Sequence, residues 1–222
     1  MQLSDQIHII DGVRGANSYL YIEPGAAALI DTGMPGNAER ILDYIRVTGL
    51  KPEDLRYIVL THADVDHSGS AKELREITGA KVAIHSADAV RIEGKTKLKE
   101  VKGPFSFIFN IANALISFQN FEPDILIKDS DSLLGLKVVH TPGHTEGSVC
   151  LYREKEAIFV GDALRTTKKG SPKLPPSFLS INMQQAKESV RRISALEYRL
   201  LLPGHGRPIT IAASEKVRKL VR

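Results

Sequence analysis

The densest group of potential metal ligands in this sequence lies in the stretch Leu60-Thr61-His62-Ala63-Asp64-Val65-Asp66-His67-Ser68-Gly69. The apolar residues just before it are typical of a short buried strand, and a helix is expected to begin near Ser70. Two imidazoles and two carboxylates on one tight loop require burial partners unless a cation gathers them. Because His62 and Asp64 can point one way while Asp66 and His67 point another, the spacing favours two adjacent metal ions over one.

Composition places the chain among globular proteins. Its 222 residues, 42% of them hydrophobic, suit one compact domain or two closely packed halves. The one cysteine, Cys150, excludes intramolecular disulfides and cysteine-based zinc cages, so metal ligands must be His, Asp or Glu. Cys150 lies in an apolar run and is expected to be a core residue.

Neither the first residues nor the charge of the sequence indicates a membrane or a nucleic acid as a partner. The first residues lack a cationic segment followed by an apolar one, and no stretch is long enough to span a bilayer. We therefore expect a cytoplasmic location. The formal charge of +4 permits an anionic small-molecule substrate, whereas nucleic acid and membrane are not expected as partners.

Hydrophobic patterning predicts strands that give way to alternating strands and helices. In the first half strands are predicted at residues 6–10, 18–22, 26–30, 57–60 and 81–85, with Asn37 as the cap of a helix. In the second half they are predicted at residues 136–140, 149–153, 157–160 and 199–202, with a helix from Met183 to Leu196 and a terminal helix capped by Ser214. This pattern favours helices that cover a largely buried sheet.

Residues 95–123 break the rhythm and are predicted to form a hydrophobic helical insertion. Five phenylalanines fall within it: Phe105, Phe107, Phe109, Phe118 and Phe121. So many aromatic side chains must pack on the body of the protein, on a substrate or on a second subunit, which makes a homodimer contact one alternative. Together with residues 165–180, this segment is expected to wall the mouth of the active site.

Five polar positions each follow a separate predicted strand: Asp31, His62, His144, Asp162 and His205. If these strands share one sheet and run the same way, their exit loops meet at one edge, where rigid strand ends can hold a polar site. His8, His85 and His140 are instead expected to be structural.

In order and spacing, these positions and the cluster from His62 to His67 resemble the five motifs of the metallo-β-lactamase superfamily. The resemblance covers nearly the whole chain and implies one such domain over residues 1–222. It implies an α/β fold, a four-layer αβ/βα sandwich of two mixed β-sheets with helices on the outer faces.

The same resemblance implies the ligands of two divalent metal ions. His62, Asp64 and His144 would hold one ion, Asp66, His67 and His205 would hold the other, and Asp162 would bridge them. Asp31 would orient a ligand rather than bind metal.

One position departs from the family's usual His-x-His-x-Asp-His pattern, because Asp64 stands where the second histidine is expected. An acid there resembles the flavodiiron branch, which typically has Glu, and some small hydrolase-like branches with Asp. The extra carboxylate removes one positive charge from the centre, which should weaken the acidification of bound water. It also shifts metal preference toward iron or manganese, although zinc is the first expectation.

The resemblance implies a hydrolase with a binuclear metal centre. A bridging hydroxide would attack an ester, thioester, lactone or phosphodiester of a small molecule. Asp66 would orient the hydroxide, or accept a proton if only one metal is loaded. Three alternatives remain open: an iron-dependent redox enzyme of flavodiiron-like or persulfide-dioxygenase-like type, a nuclease, and a non-catalytic binding module.

Overall fold

Thirteen strands and six α-helices are found in the computed structural model, which describes residues 1–96 and 119–221. The strands are β1 Ile7–Ile9, β2 Tyr19–Glu23, β3 Ala26–Ile30, β4 Leu55–Val59, β5 Lys81–His85, β6 Ile125–Ile127, β7 Ser132–Leu133, β8 Leu136–His140, β9 Val149–Arg153, β10 Ala157–Gly161, β11 Arg165–Thr166, β12 Pro172–Lys173 and β13 Leu200–Pro203. The helices are α1 Ala38–Val47, α2 Val65–Ser68, α3 Ala71–Thr78, α4 Ser86–Ile92, α5 Met183–Ser194 and α6 Ala213–Val221.

The strands form two large mixed sheets. The first has the order β1-β2-β3-β4-β5-β6, with antiparallel pairing from β1 to β3 and parallel pairing from β3 to β6. The second has the order β13-β10-β9-β8-β7, in which β9 is antiparallel to both β8 and β10 while β13 is parallel to β10. Strands β8, β10 and β13 therefore run in one direction.

Three apolar clusters show how the layers stack. Ile41, Leu74 and Ile92 from α1, α3 and α4 pack on the outer face of the first sheet. A second cluster, which includes Tyr19 and Phe159, fills the space between the two sheets. The third joins the outer face of the second sheet to α5 and α6. The layers run helix, sheet, sheet, helix, which confirms the predicted αβ/βα sandwich.

Several local predictions need correction. Asn37 lies at the start of α1, but its side chain makes no capping hydrogen bond. Its amide instead accepts from the Arg14 backbone N–H and donates to the carbonyls of Arg14 and Met34. Ser214 lies inside the first turn of α6, which begins at Ala213. The proline-rich stretch after Asp162 contains a small hairpin, β11–β12, that the sequence did not indicate, because its strands are only two residues long.

The predicted insertion at residues 95–123 falls largely outside the described residues. Of its five phenylalanines the structure describes Phe121, which is 7% exposed and belongs to the cluster beneath α1, α3 and α4. The Arg75 guanidinium lies 5.2 Å from its ring centre. Cys150 is buried as predicted, and burial raises the pKa of its thiol to about 12. None of the helices in residues 1–96 and 119–221 has the length and apolar character needed to cross a bilayer.

Candidate metal centre

The predicted ligands follow strands of both sheets. Asp31 and His62 follow β3 and β4 in the first sheet, whereas His144, Asp162 and His205 follow β8, β10 and β13 in the second. The strands do not share one sheet; they divide between the two sheets that the family resemblance implied. Their exit loops still meet, because the two sheets face each other and the strands that carry ligands in each sheet run toward the same edge.

A single helical turn divides the ligands of the His62 to His67 cluster. Asp64 occupies the position before α2 in extended conformation, and its carbonyl accepts hydrogen bonds from the backbone N–H groups of His67 at 2.9 Å and Ser68 at 3.0 Å. Asp66 and His67 lie within α2 and so project differently from His62 and Asp64. This local geometry produces the division that the spacing predicted.

The side chains form two triads, and within each triad the three candidate ligand atoms lie within 4.8 Å of one another. In the first triad, Asp64 Oδ2 lies 3.1 Å from His144 Nε2 and 3.5 Å from His62 Nε2. The second comprises Asp66, His67 and His205, and Asp66 Oδ2 lies 3.1 Å from His205 Nε2. The two triads are those implied by the family resemblance.

The carboxylate of Asp162 lies between the triads. Its Oδ1 is 3.7 Å from His67 Nε2 and 3.6 Å from His205 Nε2, and its Oδ2 is 3.6 Å from His144 Nε2. Asp162 is only 5% exposed, so its charge faces imidazoles of both groups rather than water.

Three buried atoms at this place fit a metal ion. His62 Nε2, His67 Nε2 and Asp162 Oδ1 have no hydrogen-bond partner among the described residues. Buried polar atoms are almost always satisfied, so such a group needs an explanation. Imidazole nitrogen and carboxylate oxygen form the donor set that zinc, iron and manganese accept. The residues present therefore match divalent metal ions in chemistry as well as in placement.

One carboxylate orients a histidine of each triad. Asp31 Oδ1 accepts from the Thr61 backbone N–H at 2.8 Å, and Oδ2 accepts from the Thr61 hydroxyl at 2.8 Å and from His67 Nδ1 at 2.7 Å. Because that hydroxyl donates to Asp31, its oxygen accepts from His62 Nδ1 at 3.0 Å. Both histidines thus carry a hydrogen on Nδ1 and turn Nε2 toward the centre.

The carboxylates of the site stabilise positive charge on the groups between them. Burial lowers the pKa of His67, but the carboxylates of Asp31, Asp66 and Asp162 outweigh burial and raise it to about 10. Burial raises the pKa of Asp66, yet His67 and His205 hold it well below the usual range. The pKa of Asp162 is lowered in the same way, against burial, by the surrounding histidines. The carboxylates therefore stay ionised and can receive a cation.

The loop that carries His205 is held by two residues that sequence reasoning missed. The Asn17 amide donates to the carbonyls of Pro203 and Gly206, both at 2.9 Å, and the Tyr19 hydroxyl donates to the Pro203 carbonyl at 2.8 Å. A third missed residue, Asp88 on α4, is fully buried against two ligand loops. No local pattern marks any of them, because each acts across a long sequence separation.

The remaining histidines lie outside the two triads. His8 Nδ1 is 3.2 Å from the Tyr44 hydroxyl oxygen. His85 Nδ1 accepts from the backbone N–H of Ala87, and its ring stacks on that of His140 with centroids 4.2 Å apart. These contacts agree with the structural roles predicted for all three.

Gly204 leaves room for both the second triad and Asp162. A β-carbon there would lie 2.5 Å from His67 Cε1 and 2.9 Å from Asp162 Oδ1. We expect Gly204→Ala to displace both side chains and, for the hydrolysis that the family resemblance implies, to lower kcat/KM by at least about 100-fold, as small misplacements of reacting groups do. Gly25→Ala is the control, because it replaces a left-handed glycine whose β-carbon would meet no atom within 4 Å. Unchanged kinetics in Gly204→Ala would contradict this geometry.

Comparisons with known proteins agree on one family. The family model described as the metallo-beta-lactamase superfamily matches residues 11–205. A Bacillus subtilis protein named "Probable metallo-hydrolase YflN" is 30% identical over 220 residues, which span 89% of this chain and 83% of that protein. A hydroxyacylglutathione hydrolase of Pelagibacter ubique is 30% identical over 166 residues, or 72% of this chain and 55% of that protein.

Solved structures show the same fold at lower identity. A variant of the metallo-beta-lactamase FEZ-1 from Legionella gormanii superposes with a TM-score of 0.77 at 16% identity, covering 100% of this chain and 91% of that one. A metallo-beta-lactamase family protein from Thermus thermophilus gives 0.74 at 21% identity, with 99% and 79% covered. At these identities the likeness concerns the fold alone.

Proposed function

Because the chain belongs to the metallo-beta-lactamase superfamily, we propose that its two triads hold two divalent metal ions and that it hydrolyses a small molecule. The observation that carries the proposal is a set of three buried atoms without a hydrogen-bond partner among the described residues: His62 Nε2, His67 Nε2 and Asp162 Oδ1. The two triads and Asp162 together offer seven ligand side chains, which is more than a single structural ion needs.

Each ligand has a place in this proposal. His62, Asp64 and His144 hold one ion, Asp66, His67 and His205 hold the other, and Asp162 lies between them. Zinc is the first expectation, with iron or manganese as alternatives that the three carboxylates favour.

The ions would supply Lewis acidity, both to the oxygen of the scissile group and to the attacking water. The protein's own residues do the rest. Asp66 is 35% exposed and ionised, so it can orient the water, and with only one ion loaded it could accept a proton from that water. Asp31 holds the hydrogen on Nδ1 of His67 directly and on Nδ1 of His62 through the Thr61 hydroxyl. Substrates with an ester, thioester, lactone or phosphodiester bond fit this chemistry.

Asp64→His tests the effect of the carboxylate at that position. The substitution raises the charge of the centre by one unit and replaces a hard oxygen ligand by nitrogen. We expect the variant to prefer zinc over manganese more strongly than the parent does, and the acid limb of its kcat/KM profile to move to lower pH. Competition titrations and pH profiles measure both, and identical metal preference and profile in the two proteins would contradict the charge argument.

A basic groove beside the second triad supports an anionic substrate. A cavity of about 290 Å³ is lined by Lys168, Lys169, Arg207 and Lys216. Within the described part of the chain, none of these four cations has a carboxylate partner. The wall that contains Arg207 begins two residues after His205. The wall that contains Lys168 and Lys169 follows β11, where the backbone N–H of Thr166 donates to the His205 carbonyl at 3.1 Å. We propose that an anionic group of the substrate extends along the His205 loop into this groove.

Lys169→Glu tests this extension with two p-nitrophenyl esters, the neutral acetate and the anionic monoester of glutaric acid. We expect KM for the anionic ester to rise at least about fivefold, while kcat and the neutral ester's KM stay unchanged. Lys187→Glu, an exposed charge reversal on α5, is the matched control. An equal change in KM for both esters would show that the groove does not distinguish substrates by charge.

The proposed activity is tested by removing metal with a chelator and restoring zinc, manganese or iron(II) separately. Each form is assayed on a p-nitrophenyl ester, an acyl-glutathione thioester, a lactone and bis(p-nitrophenyl) phosphate. The thioester is included because of the hydroxyacylglutathione hydrolase relative. We expect hydrolysis in at least one class that depends on added metal. Activity that persists without metal, or its absence in every metal form, would contradict the proposal.

A further inference from the structure

The buried carboxylate of Asp88 accepts four hydrogen bonds. The residue is 0% exposed and lies on α4. Its Oδ2 accepts from the Ala63 backbone N–H at 3.0 Å and from the Thr145 hydroxyl at 2.7 Å. Its Oδ1 accepts from the Gly147 backbone N–H and from Arg91 Nη1, both at 2.9 Å. Burying a charge is costly, so four donors on one carboxylate indicate a specific task.

Three of these donors come from the loops that carry the first triad. Ala63 stands between His62 and Asp64, and Thr145 directly follows His144. The two loops leave different sheets, so Asp88 ties the ligand edge of one sheet to that of the other. No described residue next to Asp66, His67 or His205 donates a hydrogen bond to Asp88. Asp88 therefore contacts the loops of the first triad selectively.

Two neighbouring features strengthen this link. Arg91 is 12% exposed and pairs with both Asp88 and Glu146, which adjoins Thr145. A β-carbon on Gly147 would lie 2.7 Å from Asp88 Cβ and Cγ, so only glycine allows the loop to approach this closely. The contact is thus shaped by several residues at once.

We propose that Asp88 is a positioning residue for the first metal ion. It fixes the distance between the His62 loop and the His144 loop, and thereby the geometry of the first triad, without touching the metal. This inference rests on the proposed function.

Asp88→Asn tests it while keeping the shape of the side chain. The amide nitrogen cannot accept a hydrogen bond, so either rotamer of the asparagine loses two of the four bonds. The substitution is made in two parents: His205→Ala, which leaves the first triad intact, and His62→Ala, which leaves the second. Zinc dissociation constants are measured by competition with a chromophoric chelator.

We expect Asp88→Asn to raise the zinc Kd at least about tenfold in the His205→Ala parent and less than about threefold in the His62→Ala parent. Asp124→Asn is the matched control, because Asp124 accepts from the Val82 backbone N–H at 2.9 Å and pairs with Arg75 at the opposite end of β5. It should leave both constants unchanged. Thr145→Val, which removes one donor to Asp88, should move the first constant in the same direction by a smaller factor.

The outcomes separate this inference from the proposed function. Equal factors in the two parents, or no change in either, would overturn the role of Asp88 while the metal sites stand. Failure of both parents to bind zinc would overturn the proposed function and this inference with it. If Asp88→Asn does not fold, Thr145→Val decides by the same comparison between parents.

Discussion

Asp162→Ala is expected to lose one bound metal ion and to lower kcat/KM by at least about 1,000-fold, or roughly 4 kcal/mol of transition-state stabilisation. The reason is its position between the triads, with Oδ1 and Oδ2 each within 3.7 Å of ligand nitrogens. Without this charge the site has no group that both ions can share. Metal content and steady-state kinetics on the best substrate measure the two effects.

The fold should survive this substitution, because the Asp162 side chain contacts polar site residues rather than an apolar cluster. Asp129→Ala is a suitable control, since it removes a half-exposed carboxylate that pairs with Arg192 on the surface. Full activity and two bound ions in Asp162→Ala would contradict the proposed role of Asp162 as a ligand shared by both ions.

Asp31→Asn is expected to lower kcat/KM by about 100- to 10,000-fold, although Asp31 is not one of the proposed metal ligands. Oδ2 receives hydrogen bonds from Thr61 and His67, and Oδ1 receives one from the Thr61 backbone. An amide group at the Oδ2 position would present N–H to His67 Nδ1 and favour the other tautomer. His67 Nε2 would then carry a hydrogen and could not bind metal.

This substitution also keeps the backbone unstrained. Asp31 has a φ of +58°, in the left-handed region that asparagine tolerates well. We therefore expect the thermal midpoint of the metal-free variant to remain close to that of the metal-free parent while metal affinity falls. Asp43→Asn, on the exposed face of α1, is the control. Parental metal affinity in Asp31→Asn would show that the carboxylate does not set the tautomer.

Much of this fold could be predicted from the sequence, because its strands are apolar runs bounded by turns. Strands β5, β8 and β9 begin and end at the residues that the hydrophobic pattern predicted. The pattern could not show that the strands divide between two sheets, since strand pairing depends on contacts distant in sequence. Short strands such as β7 and β11 could not be predicted, because two residues are too few to show a hydrophobic periodicity.

The ligand residues could be predicted because histidine and aspartate at strand exits are chemically conspicuous. Their grouping followed from the family resemblance, and the structure brings the same residues together. The residues that hold them in place could not be found in this way. Asp88 and Asn17 act through backbone groups that lie 25 and 186 residues away, respectively, and such partners leave no local signal.

The most direct test of a binuclear centre is the number of zinc ions bound per chain, measured by elemental analysis after equilibrium dialysis. The parent protein should bind two, and His62→Ala and His205→Ala should each bind one, because each substitution disrupts a different triad. One ion or none in the parent, or the loss of both ions in each variant, would contradict two separable sites joined at Asp162.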